Sequence, residues 1–287
     1  VIRTVTAGLD DSPESRAAVE WAAREALLRR LPLKIVNVRE PGAPAGTAVV
    51  PRAAAEEVRL RHPRVEVVTD QLTGDPAAAL TEAADGAELM VLGSRGLGTV
   101  GGFLLGAVGL AVIARAERPV VLVRAGERAA GEHRPDPAGV PSAGTPLRPV
   151  VLGLDTGTPD DTLLEFAFAA AACRNTVLRA VHGWTEPRAG VHPLYGDAAA
   201  RASYARGQAA VLTEVLRPWR RKFPDVPVIE ASRCGGAARV LVGAARDAAL
   251  VVVGRRVRTG ALGARVGHVT HAVLHHVDAP VAVVPHT

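Results

Sequence analysis

Residues 4–10 read TVTAGLD and residues 149–155 read PVVLGLD. Each is a short apolar run closing on Gly-Leu-Asp, and the second stands 145 residues after the first. Two further pairs follow: ELMVLGSRG around Gly93 with ALVVVGRRV around Gly254, and ERPVVLVR around Pro119 with DAPVAVVP around Pro280, both at 161 residues. Self-similarity of this kind marks a duplicated fold unit. The growth in offset puts 16 extra residues in the middle of copy two, where Pro193 to Pro224 has room for a longer helix than Pro51 to His62. Between the copies, residues 125–149 (AGERAAGEHRPDPAGVPSAGTPLRP) have the Pro, Gly and Ala content of a linker. The expected domains are residues 1–125 and 149–287, joined by 126–148.

Within copy one, short branched and leucine-rich runs (2–6, 33–38, 65–69, 89–92 and 120–123) alternate with helical patterns. Strands alternating with helices predict a parallel sheet covered on both faces, the α/β class. The first helix opens at Ser12-Pro13-Glu14, a capping residue, a proline at the first helical position and an acid in the first turn. Copy two repeats the order, with Thr158-Pro159-Asp160-Asp161 as its helix start. In open sheets of this class, ligands bind beyond the carboxyl ends of the strands. Those ends are Gly8-Leu9-Asp10 and Gly93-Ser94-Arg95-Gly96.

Composition narrows the function classes. The 287 residues are 48% hydrophobic and 22% charged, which is a folding composition. The pI of about 10.0 raises the question of nucleic acid. The net charge is only +5, however, and the arginines are scattered; the densest run, Arg217 to Lys222, reads as the polar end of a helix. Two distant cysteines, Cys173 and Cys234, form no metal spacing and suit a reducing cytoplasm. The opening VIRTVTAGLDDS is not a secretory signal, and the weakly polar run 101–114 is too short to span a bilayer. Neither nucleic acid nor membrane is expected as a partner.

The fourth strand of copy one leads into G93-S-R-G96-LGTVGGFLL-G106-A107-V108. Gly93 and Gly96 free the backbone to turn, and Gly106 stands where the next helix begins, so loop amides and a helix N-terminus can receive an anion together. This G-x2-G-x9-G spacing, the aspartate closing the first strand and the Gly74-Asp75-Pro76 turn resemble the universal stress protein family. The wording of 8–26 (GLDDSPESRAAVEWAAREA) and 269–285 (VTHAVLHHVDAPVAVVP) is similar to tandem actinobacterial members. The resemblance runs over almost the whole chain, twice.

That resemblance implies two tandem, open, doubly wound five-stranded parallel sheets of order 3-2-1-4-5, the adenine nucleotide alpha hydrolase-like fold, paired as a homodimer or an intramolecular pseudo-dimer. It implies ATP, AMP or ADP as ligand, with Mg2+ where phosphates carry it. Asp10, beside Gly8 and Leu9, would meet the adenosine portion, and its carboxylate suits ribose hydroxyls or an adenine amino group. Val38 would lie against adenine. Leu92, Gly93, Arg95, Gly96, Gly106, Ala107 and Val108 would surround ribose and phosphates. Where family members continue with hydroxyl residues, this chain has Ala107 and Gly109. At about 1 kcal/mol per neutral hydrogen bond, that loss weakens binding by roughly one to two orders of magnitude.

Copy two departs further. Gly153, Leu154, Asp155, Gly254 and Gly267 keep their places, while Val257 replaces the middle glycine, His268 the hydroxyl, and Gly183 the branched apolar residue. Arg255 and Arg256 are candidate phosphate attractants. His268, His271 and His275 share a helical face with His276 alongside, but no glutamate or cysteine completes a ligand set, and no metal site is expected. P-loop, GxSxG and HExxH motifs are lacking, so no catalytic residues are assigned. The leading expectation is a stress-response regulator that binds adenine nucleotide in copy one and alters contacts with a protein partner, without fast catalysis. Its alternatives are a slow ATPase and an interaction module whose pockets have both decayed.

Overall fold

The computed structural model describes residues 3–39, 49–94, 106–140, 142–186, 198–257 and 266–287. Copy one runs β1 (Thr4–Gly8), α1 (Pro13–Arg29), β2 (Leu33–Arg39), α2 (Val49–Arg61), β3 (Val67–Thr73), α3 (Pro76–Asp85), β4 (Ala87–Ser94), α4 (Ala107–Arg115) and β5 (Val120–Arg124). A short helix, α5 (Ala129–Glu132), lies in the connecting segment. Copy two runs β6 (Val150–Gly153), α6 (Asp161–Cys173), β7 (Leu178–Trp184), α7 (Ala198–Lys222), β8 (Val228–Cys234), α8 (Ala237–Ala244), β9 (Leu250–Arg256), α9 (His268–His276) and β10 (Val281–His286). No helix among the described residues is long and apolar enough to cross a membrane.

The order 3-2-1-4-5 holds in each half, but the halves are not separate sheets. They form one ten-stranded sheet, β3-β2-β1-β4-β5-β10-β9-β6-β7-β8. All pairings within a half are parallel, and the two last strands meet antiparallel, with Val281 opposite Leu122 and Val283 opposite Val120. Of the two pairings the family resemblance implied, the chain makes the intramolecular one, and each last-strand edge is consumed by the other. Leu89, Met90 and Val91 are fully buried on alternating faces, as a strand covered on both sides requires.

Local chemistry explains the helix starts. Ser12 caps α1 by accepting from Ser15 N at 3.2 Å, with Pro13 at the first helical position. In copy two the start lies two residues later than the Ser12 pattern suggested. Asp160, not Thr158, is the cap, because its carboxylate reaches both Thr162 N (2.9 Å) and Leu163 N (3.3 Å). The extra residues of copy two lengthen one helix: α7 has 25 residues where α2 has 13.

Helices α1 and α6 pack across the junction through a nearly two-fold arrangement. The Arg29 guanidinium stands 5.1 Å from the centre of the Phe166 ring, and Arg174 stands 5.8 Å from that of Trp21. These are equivalent residues exchanged between copies, each 145 positions apart. Between the arginines lies one buried carboxylate, Glu25, with Arg29 Nε at 2.6 Å and Arg174 Nη2 in contact. The connecting segment is packed too: Glu127 and Glu132 both bind Arg24 of α1, at 2.6 and 2.5 Å. Arg148 N donates to Glu132 O at 2.8 Å, closing the segment on itself.

Two measurements test this junction. Burial would raise the Glu25 carboxyl, but Arg174 and then Arg29 outweigh it and hold it below the usual carboxylate range. Its stabilising contribution is therefore present above the unfolded carboxylate value and is lost as pH falls through the folded one. Glu25→Ala, which strands two buried guanidiniums, should cost about 3–5 kcal/mol in urea unfolding at neutral pH. Glu127 behaves oppositely. Burial pushes its carboxyl up to about 7, Glu132 adds to this, and Arg24 opposes it. Its contribution is present at low pH and is lost as pH rises through that value, so Glu127→Gln should flatten this part of the stability profile and stabilise the protein at pH 8.

Candidate functional site

At the carboxyl ends of β1, β2 and β4, a cleft of about 580 Å³ opens toward the start of α4. Gly8, Leu9, Asp10, Val38, Leu92, Gly93, Gly106, Ala107 and Val108, all singled out from the sequence, line this one cleft. Arg95 and Gly96 lie outside the described residues.

Each wall has a local cause. Leu9 N continues the ladder to Val36 O at 2.8 Å, which carries β1 to the cleft before Asp10 leaves the sheet. Asp10 Oδ1 then accepts from the amide of Ser12 (3.1 Å) and from its hydroxyl, and Asp10 N donates to Ser15 Oγ at 3.2 Å. The carboxylate is thus oriented by the same residues that cap α1. Asp11 turns the other way, at a left-handed φ of 70°, and pairs with Arg16 on the surface.

Gly93 has a different task from the one expected. A Cβ there would lie 2.5 Å from the carbonyl carbon of Glu14 and 2.6 Å from Ser15 N, so glycine lets β4 end directly against the first turn of α1. Gly106 caps α4 with φ −58° and ψ 140°, which any residue adopts, and a Cβ there would meet no atom of the described residues within 4 Å. Among the described residues neither backbone geometry nor packing calls for glycine at 106. No side chain caps α4, and its opening residues Ala107, Val108 and Gly109 border the cleft, where the first amides of a helix lack intrahelical acceptors.

The sequence reading missed several lining residues. Ser12, Glu14 and Ser15 come from the cap of α1, Asn37 and Arg39 flank Val38 on β2, and Pro76 and Leu80 come from α3. The cap motif was itself the available signal, since a serine two positions beyond the strand-ending aspartate must lie close to it. Asn37 is buried and donates Nδ2 to Leu9 O at 2.8 Å, fastening β2 to the end of β1.

Copy two builds its corresponding region differently. Gly183 takes the place of Val38, and a Cβ there would lie 2.7 Å from Ala237 Cα. The first turn of α8 therefore sits on β7 where copy one keeps a cleft between Val38 and Pro76. His182, in the place of Asn37, reaches Leu154 O (3.2 Å), Gln208 Oε1 (3.1 Å) and Thr156 Oγ1 (3.3 Å). At Gly254 the His286 ring stands 2.6 Å from where a Cβ would be. Gly153 borders Leu241 in the same way, and Gly267 and His268 open α9 at the surface. Asp155 accepts from Gly157 N at 3.0 Å and contacts Thr158, whose hydroxyl receives Arg256 at 2.9 Å. Arg255 corrects an expectation: it is 2% exposed and donates to Ala116 O at the end of α4, so it ties the two halves together and faces no phosphate.

A doubly wound parallel sheet of order 3-2-1-4-5, present twice, with a cleft at the strand ends of the first copy, is the adenine nucleotide alpha hydrolase-like class. Its tandem form is found in a universal stress protein from Archaeoglobus fulgidus whose crystal structure superposes with a TM-score of 0.64 at 15% identity, covering 98% of each chain. The model of the universal stress protein family matches residues 2–124 and 146–285. The chain belongs to the universal stress protein family. A universal stress protein of Mycobacterium tuberculosis is 31% identical over 97% of this chain and 96% of its own length. A universal stress protein solved in complex with cAMP is 31% identical over 43% of this chain and 98% of its own, with a TM-score of 0.38.

The two glycines of copy one should respond differently. Gly93→Ala forces a Cβ into the backbone of Glu14 and should destabilise the fold by at least the roughly 1–3 kcal/mol of an overpacked site. Gly106→Ala meets none of the described residues and should leave unfolding within about 0.5 kcal/mol of the parent. Thermal and urea unfolding of both variants check this.

Proposed function

We propose that copy one is an adenine-nucleotide site whose occupancy, not turnover, carries the function, and that copy two serves as its structural partner. The observation that carries this reading is the start of α4 at the cleft, where among the described residues neither the backbone nor the packing requires glycine at 106 and a side chain there would narrow the space in front of the α4 amides. A helix start with unsatisfied amides and a positive dipole end favours an anion such as phosphate. Asp10, held by Ser12, offers a fixed acceptor about where a ribose or amino group would lie, and Val38 and Leu92 supply apolar wall. A cleft of about 580 Å³ falls in the usual range for small-molecule sites, about 300–1,000 Å³. Membership of the universal stress protein family supports the same reading. In copy two, Ala237 closes on β7 at Gly183, where copy one keeps its cleft between Val38 and Pro76.

A second reading is favoured by Ala107 and Gly109. With both hydroxyls gone, the molecule would act as a nucleotide-independent interaction module. Calorimetric titration with ATP and Mg2+, and with AMP, separates the two. One site per chain, lost in Gly106→Val and weakened at least tenfold in Asp10→Ala, is the expected result; no heat at millimolar nucleotide on the folded protein would transfer the assignment to the interaction module. Among the described residues a Cβ at 109 meets only Leu122 Cδ2, at an ordinary 3.7 Å, which leaves room for Gly109→Ser. Ala107→Ser with Gly109→Ser should tighten binding by about ten- to a hundredfold, following roughly 1 kcal/mol per restored hydrogen bond. ADP release over hours by the same samples measures any slow turnover.

A further inference from the structure

Between the end of β5, the connecting segment and the amino ends of β9 and β10 lies a second cavity, of about 720 Å³. Three chain segments bring arginines to its wall: Arg128 from the connecting segment, Arg148 from just before β6, and Arg246 from the turn between α8 and β9. Among the described residues it shares only Glu14 with the copy-one cleft.

The duplication shows what is particular to this corner. In copy one the equivalent of Arg148 is Arg3, which pairs with Glu88 at 3.0 Å. Copy two keeps the arginine but has Ala249 in place of that glutamate and Arg246 in place of Asp85. The one acid it gains at this turn, Asp247 in place of Gly86, is taken by Arg179 at 2.6 and 3.1 Å. The other acids at the cavity are engaged as well: Glu127 and Glu132 bind Arg24, and Asp278 meets Arg124 at 3.5 Å. Arg148 spends its Nε on His133 O at 2.8 Å. Among the described residues Arg128, Arg148 and Arg246 make no ion pair, and Glu14 is the one lining carboxylate that makes none. Three guanidiniums against one uncommitted carboxylate give a concave space of positive potential, which attracts anions.

We propose that this junction cavity binds a diphosphate group, free or at the end of a small metabolite, through Arg128, Arg148 and Arg246. The planar guanidinium fork matches pairs of phosphate oxygens, and two linked phosphates offer such pairs to arginines that come from three sides, where a single phosphate is small for them. Arg128 and Arg246 are exposed and Arg148 is half-buried, so the cavity admits a ligand from solvent without opening the core. A diphosphate held there bridges the connecting segment to copy two. The site is separate from the copy-one cleft and requires no occupant in it.

The test is calorimetric titration of the tag-free chain with inorganic pyrophosphate and, separately, with ADP, at about 0.15 M NaCl, where attraction between exposed charges is largely screened beyond about 8 Å. Each titration is run on the parent and on Gly106→Val, whose copy-one cleft is narrowed. One pyrophosphate per chain is expected in both, weakened about tenfold or more in Arg128→Gln and in Arg246→Asp, the latter restoring the residue of copy one, and unchanged in Arg221→Gln on the exposed face of α7. Melting curves of these variants without ligand should match the parent, since neither Arg128 nor Arg246 makes an ion pair. ADP binding that also depends on Arg128 and Arg246 would identify the diphosphate as the end of a nucleotide, and a response to pyrophosphate alone would identify it as free. Absence of heat from both ligands on the folded chain, or equal affinity in the parent and the Arg128→Gln, Arg246→Asp double variant, would overturn the assignment.

Discussion

The antiparallel pairing of β5 with β10 is the constraint on which the rest of the molecule depends. Because every strand within a copy is parallel to its neighbours, turning one last strand against the other inverts the whole of copy two. The strand ends that form the copy-one cleft and those that would form its counterpart therefore face opposite ends of the sheet. The two regions share no ligand space, and each could change without disturbing the other. The pairing also makes each helical layer continuous: one core face runs from Trp21 and Leu33 to Phe168 and Leu212, the other from Leu80 and Val112 to Leu241 and Val273.

A junction between two near-copies calls for contacts that are almost symmetric, and the chain supplies them with one deliberate asymmetry. Trp21 and Phe166 are equivalent, as are Arg29 and Arg174, and each arginine covers the aromatic ring of the other copy. Near a two-fold axis there is room for a single carboxylate. Glu25 provides it, and its counterpart is the fully buried Ala170. A second glutamate would bring two buried negative charges together, and each would disfavour the other's ionisation. On the other face, Arg124 donates to Leu274 O at the end of α9, while Arg255 donates to Ala116 O at the end of α4. Here the helix ends are equivalent, but the arginines come from different strand positions. The junction preserves the interaction without preserving the residue.

What could be read from the sequence was what is local. The duplicated Gly-Leu-Asp ends, the Ser12 cap and the order of strands and helices follow from short-range chemistry, and together with the family resemblance they nominated nine residues that meet in one cleft. The join between the sheets could not be read in this way, because alternation of apolar residues in β5 and β10 says that they are buried and not which strand they face. Gly93 was taken as a turn, whereas its reason is the approach of Glu14, 79 positions away in sequence. Arg255 was read together with Arg256 as a candidate phosphate attractant. Its side chain instead turns to the junction, a direction that only the packing of α4 reveals. The composition of residues 126–148 suggested a plain tether, and the acids that dock it on Arg24 are too few to register as a pattern.

The histories of the two clefts follow from the same geometry. Once β5 and β10 hold the halves together, only the junction must stay near-symmetric, and the strand ends of copy two are released from any shared requirement. Gly183 removes the side chain that would hold α8 away, so Ala237 closes on β7. His182 then takes the buried polar role of Asn37 and reaches Gln208, which the lengthened α7 brings within 3.1 Å. Trp184 packs edge-on to Tyr204 of the same helix, with ring centres 5.4 Å apart. The added residues of copy two thus build a wall where copy one keeps an opening. The second copy closes its own strand ends with its own side chains, while its last strand covers the edge that β5 would otherwise expose.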